Sequence, residues 1–191
     1  DQFLLAVNSI NWVRIIGQIC YYFYASLKTN KLREPLNFSV PTGNFGNVFA
    51  CYSAYKMGMP LNKILVAVND NNILHRFFSD NDYSRSKVSE TLSPSMDISI
   101  ASNFERLLYD FYAERDSSIC DQFYRNFPKS PINLEKHMWE KSKDLFISYS
   151  VDDISTVKAM KDTYASYKYL IDPHTAVAIE AVDQINEKLN G

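Results

Sequence analysis

Two of the chain's five glycines lie three residues apart in residues 41–47 (PTGNFGN). This segment follows a predicted short strand, residues 36–40, and precedes a predicted helix. Glycines at such a turn let a ligand approach the backbone closely, and the N-terminus of the helix offers unpaired N–H groups. The arrangement suits a phosphate group, although neither the Walker pattern nor the GxGxxG pattern of dinucleotide folds is present. A tight turn with Asn47 as helix cap is the simpler alternative.

A second candidate anion-binding segment is residues 8–14 (NSINWVR). Asn8, Ser9 and Asn11 are short polar side chains at a predicted helix start, and Arg14 follows about one turn later. Together these side chains can hold an oxyanion through charge-assisted hydrogen bonds. Capping of the helix by Ser9, with Arg14 as an ordinary surface residue, is the alternative.

The amino-acid composition argues against several classes of protein. The chain has 191 residues, of which 46% are hydrophobic and 22% are charged, as expected for one globular domain. The formal net charge of −2 gives no electrostatic reason to expect a nucleic-acid or membrane partner. The three cysteines are far apart and show no CxxC spacing, which argues against a disulfide framework or a zinc site and favours a reducing, cytoplasmic compartment. No spacing typical of metal ligands is present.

Strand and helix patterns alternate along the chain, which predicts an α/β fold with a mainly parallel sheet flanked by helices. The predicted strands are residues 36–40, 63–68, 97–100 and 168–171. The predicted helices include residues 10–27, the segment from Asn47 to Met57, 73–78, 104–114, 134–166 and 174–189. We predict an α/β core made of residues 1–114 and 167–191, with a mainly helical segment, 115–166, between its two parts.

Five sequence blocks resemble threonine synthase of the bacterial and fungal type. In chain order they are residues 8–15 (NSINWVRI), 40–46 (VPTGNFG), 92–98 (LSPSMDI), 102–108 (SNFERLL) and 170–177 (LIDPHTAV). The blocks follow the order found in that family and extend over nearly the whole chain, whereas residues 117–167 are the least distinctive.

The resemblance implies part of a pyridoxal-phosphate enzyme of fold type II, with a large domain like that of the tryptophan synthase β subunit. Such an enzyme is a lyase that converts O-phospho-L-homoserine and water to L-threonine and phosphate, the last step of threonine biosynthesis. Pyridoxal 5'-phosphate is the implied cofactor and acts as an electron sink. A cytoplasmic monomer or homodimer is expected.

The family's binding residues can be transferred to the matching positions. Those for the cofactor phosphate are Gly43, Asn44, Phe45, Gly46 and Asn47, and those for the substrate phosphate are Asn8, Ser9 and Arg14. The family usually has Asp at position 47, so the contact of Asn47 is less well supported by the resemblance. Gly43 and Gly46 are expected to be needed because a Cβ there would obstruct the ligand or prevent a positive φ.

The resemblance assigns no catalytic residue to this chain. The lysine that forms the Schiff base with the cofactor is expected before Asp1, and the hydroxyl partner of the pyridine nitrogen after Gly191. The chain starts without Met and is expected to be a fragment that does not catalyse alone. Two alternatives remain: a threonine-synthase-like phospholyase, which Asn47 keeps open, and a non-catalytic module that binds a phosphate-bearing ligand.

Overall fold

The computed structural model describes residues 8, 10–112, 118–127 and 129–190, with only the backbone of residues 187–190. Three parallel strands form a sheet in the order β1 (Leu36–Pro41), β2 (Leu61–Val68) and β3 (Phe146–Ser150). The central strand pairs on both sides, with Val66 opposite Val40 of β1 and Ser148 of β3. The predicted α/β fold with a parallel sheet is therefore confirmed.

Eight α-helices surround the sheet in the described part of the chain. They are α1 (Trp12–Asn30), α2 (Gly46–Lys56), α3 (Ile73–Asp80), α4 (Phe104–Tyr112), α5 (Ser118–Asn126), α6 (Lys136–Ser142), α7 (Asp153–Tyr167) and α8 (Pro173–Asn190). A short 3-10 helix, Pro94–Met96, lies in the connection between α3 and α4. None of the described helices is long and apolar enough to cross a membrane.

The central strand β2 divides the core into two layers. Ile64, Val66 and Val68 face a large cluster that includes α2, α3 and α4, whereas Leu65 and Ala67 pack against α8. This alternation follows from the two-residue period of a strand, and burial on both faces explains why β2 is a continuous apolar run. Helix α2 is buried along most of its length between the sheet and α1.

Three parts of the predicted element order are wrong. Residues 97–100 form no strand, because they follow the 3-10 helix and the Asp97 carboxylate binds neighbouring polar side chains. Residues 168–171 form no strand either, since Lys168 adopts the left-handed conformation that ends α7. In contrast, β3 lies inside the segment 134–166 that was predicted to be helical.

Helix α1, which starts within the first block, begins at Trp12 and therefore later than predicted. Asn11 is the N-cap of α1, and its side chain accepts a hydrogen bond from the backbone N–H of Val13. Ser9, the predicted cap, lies outside the described residues. The division into a core and a segment 115–166 stays a prediction, and β3 of the core sheet belongs to that segment.

Candidate functional site

The loop of residues 42–47 leaves the carboxyl end of β1 and enters α2. It lies at the edge of the sheet where parallel α/β folds bind ligands. The backbone N–H of Thr42 still donates to Ala67 O (3.0 Å), so the start of the loop continues the sheet pairing. We call residues 42–47 the site loop.

Asn47 holds the site loop closed. Its Oδ1 accepts from the Thr42 hydroxyl (2.6 Å), and its Nδ2 donates to Pro41 O (2.6 Å). The Tyr22 hydroxyl of α1 donates to Asn47 O (2.8 Å), and burial, followed by the nearby Cys51, raises the pKa of Tyr22 so that it stays a donor. Asn47 Oδ1 also accepts the backbone N–H of Val48 in the first turn of α2 (3.0 Å), so the side chain both fixes the two ends of the loop to each other and pairs one N–H group of the helix start.

Phe45 carries the unusual backbone geometry of the site loop. It is the N-cap of α2 with φ 65°, in the left-handed region, which costs a non-glycine residue about 1 kcal/mol. Its ring is fully buried, and T-shaped and stacked contacts join it to Phe104 and Phe78 at 5.6 and 6.2 Å. Burial of a large aromatic side chain offsets the strain.

The backbone N–H groups of residues 43–47 donate to no atom within the described ranges.

Gly43 is required by a close approach of two protein segments. A Cβ at this position would lie 2.8 Å from Ser95 O and 3.0 Å from Met96 Cα. Positive φ is not the reason, because Gly58 is the glycine with positive φ in the described part of the chain. The expectation of a positive φ is therefore wrong for both Gly43 and Gly46. The segment around Ser95 forms the wall behind the site loop.

A buried polar network shapes that wall. The Asp97 carboxylate accepts hydrogen bonds from the side-chain amides of Asn69 and Asn71 and from the hydroxyl of Thr91, at 2.7–2.8 Å. Asn69 and Asn71 follow β2 directly, so the network joins the end of the central strand to residues 91–97. The carboxylate is saturated by donors, which suits it for structure and not for proton transfer.

A chain of polar contacts joins the site loop to the first block. The backbone N–H and Nδ2 of the fully buried Asn103 both donate to Asn44 O, at 3.0 and 3.1 Å. Asn103 Oδ1 accepts from Arg106 Nε (3.0 Å), and Arg106 Nη2 donates to Ile10 O (2.8 Å). The Arg106 guanidinium also lies 5.5 Å from the centre of the Trp12 ring.

The last block reaches the same wall from α8. Asp172 accepts hydrogen bonds from the backbone N–H of His174 (2.9 Å) and from the Thr175 hydroxyl (2.6 Å), which caps the helix as predicted. His174 Nε2 then accepts from the backbone N–H of Ser95 (3.3 Å). The third and fourth blocks therefore contact the site loop directly, and the first and last blocks are joined to it through Arg106 and Ser95.

The residues predicted for the second anion site are only partly described. Asn8 is exposed, and its Oδ1 accepts from the backbone N–H of Ile10 (3.0 Å). Arg14 is an exposed residue in the first turn of α1, while Ser9 lies outside the described residues. Helix α1 packs against α2, and Trp12 meets Phe49 with ring centres 6.0 Å apart. The first block therefore flanks the helix that starts at the site loop.

A cavity beside the first block does not suit an anion. A cavity of about 600 Å³ lies between α1, α2, α4 and α5 and is lined by Trp12 and Arg106, but also by Glu105, Asp110 and Asp121. These carboxylates would repel a phosphate. In the part of the chain that the structure describes, no cluster of His, Cys, Asp and Glu is arranged to hold a metal ion.

The chain is similar to threonine synthases along nearly its whole length. Threonine synthase from Pseudomonas aeruginosa is 42% identical over 187 residues, which are 98% of this chain and 40% of that protein. The crystal structure of threonine synthase with bound pyridoxal phosphate from Brucella melitensis superposes with a TM-score of 0.90 at 36% identity, covering 95% of this chain and 39% of that one. Yeast threonine synthase superposes with a TM-score of 0.89 at 38% identity, covering 97% and 40%.

The chain belongs to the threonine synthase family. No protein-family model matches it, and it spans about 40% of the length of the curated relatives that it matches. The likeness to threonine synthase structures also confirms the predicted fold of type II. The five threonine synthase blocks lie around the site loop, either in contact with it or in contact with another block that touches it.

Several residues of this site were not singled out from the sequence. Ser95, Asn103 and Arg106 each lie in a threonine synthase block but carry no spacing pattern of their own. Their contacts join segments that are about 50 to 100 residues apart along the chain. The only signal available in the sequence was the presence of the blocks themselves.

Proposed function

We propose that the protein is a threonine synthase, a pyridoxal-phosphate-dependent lyase that converts O-phospho-L-homoserine and water to L-threonine and phosphate. The observation that carries the proposal is the convergence of all five family blocks on the site loop. A resemblance confined to core packing would give no reason for Asn103 to bind Asn44 O, for Gly43 to pack against Ser95, and for His174 to bind Ser95 in turn. Relatives of the same name match along nearly the whole chain.

The site loop fits the phosphate of the cofactor. Five successive backbone N–H groups, residues 43–47, donate to no atom in the described segments, and they surround the N-terminus of an eleven-residue helix. Such groups together with the helix dipole favour a dianion. Gly43, Asn44, Phe45, Gly46 and Asn47 would hold the phosphate through their backbone, while the Asn47 side chain keeps the loop closed.

The first block fits the phosphate of the substrate. Asn8 lies shortly before α1 and Arg14 in its first turn, and Ser9 follows Asn8 in the sequence, so short polar groups and a guanidinium lie close together along the chain. Arg14 supplies the positive charge that a phosphate leaving group needs, and bidentate contacts with phosphate are typical of arginine. Two anion sites match a reaction in which both cofactor and substrate carry a phosphate.

The chemistry divides between cofactor and protein. Pyridoxal phosphate, when bound, supplies the electron sink that makes carbon–hydrogen bonds of the amino acid acidic. This chain's residues anchor the two phosphates and so fix the distance between the cofactor ring and the bond that releases phosphate.

Two further properties belong to the proposal. A cytoplasmic location is supported by three cysteines that are free, as is usual in a reducing compartment. A monomer or homodimer with a small-molecule substrate and no metal is proposed by analogy with the family.

A product assay of the full-length protein tests the function. Incubation with pyridoxal phosphate and O-phospho-L-homoserine should release threonine and inorganic phosphate in equal amounts. A keto acid in place of threonine would identify the phospholyase alternative. Saturable binding of pyridoxal phosphate without any turnover would instead identify a non-catalytic module.

A further inference from the structure

We propose that Arg106 is a positioning residue that holds the substrate-phosphate segment, residues 8–14, at a fixed distance from the site loop. The inference rests on the proposed function and extends it to a residue that touches neither phosphate in the proposed scheme. Its consequence is that Arg106 controls substrate affinity more than cofactor affinity.

Arg106 is the physical link between the two anion sites. Its Nη2 donates to Ile10 O (2.8 Å), in the turn that carries Asn8. Its Nε donates to Asn103 Oδ1 (3.0 Å), and Asn103 in turn binds Asn44 O. Two residues and three hydrogen bonds therefore connect the turn before α1 with the site loop.

The contacts use the shape of a guanidinium. Donors on different nitrogens point in different directions from one rigid plane, and the central carbon of the guanidinium lies over the Trp12 ring, 5.5 Å from its centre. A lysine ammonium carries all its donors on one nitrogen, so it does not reproduce donation from two separate nitrogens of a plane that lies over the ring. The arrangement therefore requires arginine and not simply a positive charge.

Arg106 forms no ion pair with another of the described residues. Glu105 precedes it and Asp110 lies one turn further along α4, yet Asp110 binds Tyr52 and Lys56. Arg106 binds a carbonyl, an amide oxygen and an aromatic ring. A residue that served only to neutralise the acidic wall of the cavity would pair with these carboxylates.

Substitution of Arg106 should displace the substrate-phosphate segment, residues 8–14, more than the site loop. Asn44 O also accepts the backbone N–H of Asn103, so the site loop keeps one of its two bonds without Arg106. The turn at Ile10 loses the bond that ties it to α4. Misplacement of a binding segment by about 1 Å can cost on the order of a hundredfold in rate.

The test compares Arg106→Lys with wild type in the full-length protein, with the exposed Arg33→Lys as matched control. Three quantities are measured: the Kd of pyridoxal phosphate by fluorescence titration, the Kd of inorganic phosphate for the cofactor-loaded protein by calorimetry, and KM and kcat for O-phospho-L-homoserine. Arg106→Gln, which keeps side-chain donors without the charge, serves as a second variant. Melting temperatures identify a variant that does not fold.

We expect Arg106→Lys to raise the phosphate Kd and the substrate KM by about tenfold or more, with less than about threefold change in the cofactor Kd. Arg106→Gln should give the same separation, and Arg33→Lys should resemble wild type. Parallel losses of cofactor and phosphate affinity, or wild-type values for both, would overturn the inference. Failure of the wild-type protein to bind cofactor or to turn over substrate would instead count against the proposed function itself.

Discussion

His174 on α8 accepts, through Nε2, a hydrogen bond from the backbone N–H of Ser95 (3.3 Å). Because an N–H group needs an acceptor, Nε2 carries no proton, and the ring proton is on Nδ1, which faces Asp172 Oδ1 at 3.0 Å. Ser95 O is the atom against which Gly43 packs. The orientation of one imidazole ring therefore supports the wall behind the site loop.

Replacement of His174 by alanine should loosen this wall. The Ser95 amide would lose its acceptor, so we expect faster hydrogen exchange at Ser95 in His174→Ala than in wild type. Exchange at the amides of β2, which are buried in the centre of the sheet, should be unchanged and serves as an internal control. An unchanged Ser95 exchange rate would show that the imidazole does not hold the segment.

Asp172 should make stability depend on pH in the acid range. The Thr175 hydroxyl and the backbone N–H groups of His174 and Thr175 lower the pKa of Asp172 from 3.8 to about 2. A lowered folded-state pKa gives stability that is present above pH 3.8 and is lost as the pH falls towards 2. Since the carboxylate is largely exposed, its contribution is about 1 kcal/mol, the value of an ordinary N-cap.

Asp172→Asn isolates this contribution. The amide oxygen can still cap α8 but does not titrate, so the variant should be less stable than wild type at pH 7 and closer to wild type at pH 3. Urea unfolding at both values measures the two differences. A difference that is constant between pH 7 and pH 3 contradicts the assignment.

Asn47→Asp should destabilise the site loop at neutral pH. Asn47 Nδ2 donates to Pro41 O, and a carboxylate oxygen at the same place, 2.6 Å from that carbonyl, would repel it. We expect a loss of about 1–3 kcal/mol, the usual cost of an unpaired buried polar group. The sequence alone predicts a mild effect, because the family usually has Asp here, with the carboxylate turned away from the phosphate or capping α2.

The pH dependence separates the two expectations for Asn47→Asp. A protonated carboxyl can donate to Pro41 O, so its folded-state pKa would be raised and the variant should recover stability as the pH falls from 7 to 5. Thermal unfolding at the two values, with wild type as reference, gives the answer. A turned or capping carboxylate gives no such recovery.

The sequence predicts the architecture well where periodicity is strong. Strand β2 is a continuous apolar run, and the start of α8 has both a capping Asp172 and a first-turn proline. Strand β3 (FISYS) could not be predicted from its pattern, because it is short, is only half-buried along most of its length and is recognised by pairing with β2. Its existence depends on a contact between residues about 80 positions apart.

The site could be predicted as a set of blocks but not as an arrangement. The sequence indicates an anion-binding loop at residues 41–47, and it correctly associates Gly43 with an unusual constraint, although the constraint is a close approach and not a positive φ. It cannot show that Phe45 takes the left-handed conformation or that Gly43 faces Ser95, since both depend on tertiary packing. The role of Arg106 likewise follows only from its contacts with both Ile10 and Asn103, which are far apart in the sequence.

Arg14→Ala should weaken substrate binding far more than cofactor binding. Arg14 lies in the first turn of α1, separate in sequence from the site loop. Loss of one charge-assisted bidentate contact is expected to cost about 2–4 kcal/mol in kcat/KM. Steady-state kinetics and cofactor titration of the full-length variant measure both effects. Loss of cofactor with a normal KM would show that Arg14 serves the other phosphate.

Gly43→Ala should destabilise the protein whether or not the cofactor is bound. The added Cβ would lie 2.8 Å from Ser95 O and 3.0 Å from Met96 Cα, and both are backbone atoms that cannot move without displacing the whole segment. Overpacking of this kind costs about 1–3 kcal/mol. Obstruction of the ligand, as expected from the sequence, would affect mainly the cofactor-bound form, whereas the close approach to Ser95 predicts a lower melting temperature in both forms.

Gly17→Ala is the matched control for this prediction. Gly17 lies inside α1 with nothing within 4 Å of the position of a Cβ, so alanine meets no neighbour there. Because glycine is unfavourable within a helix, this change should stabilise the protein by about 0.5–1 kcal/mol. Melting temperatures of both variants with and without pyridoxal phosphate complete the comparison. A Gly43→Ala protein that melts like wild type without cofactor, but binds cofactor weakly, would show that the glycine serves the ligand and not the wall.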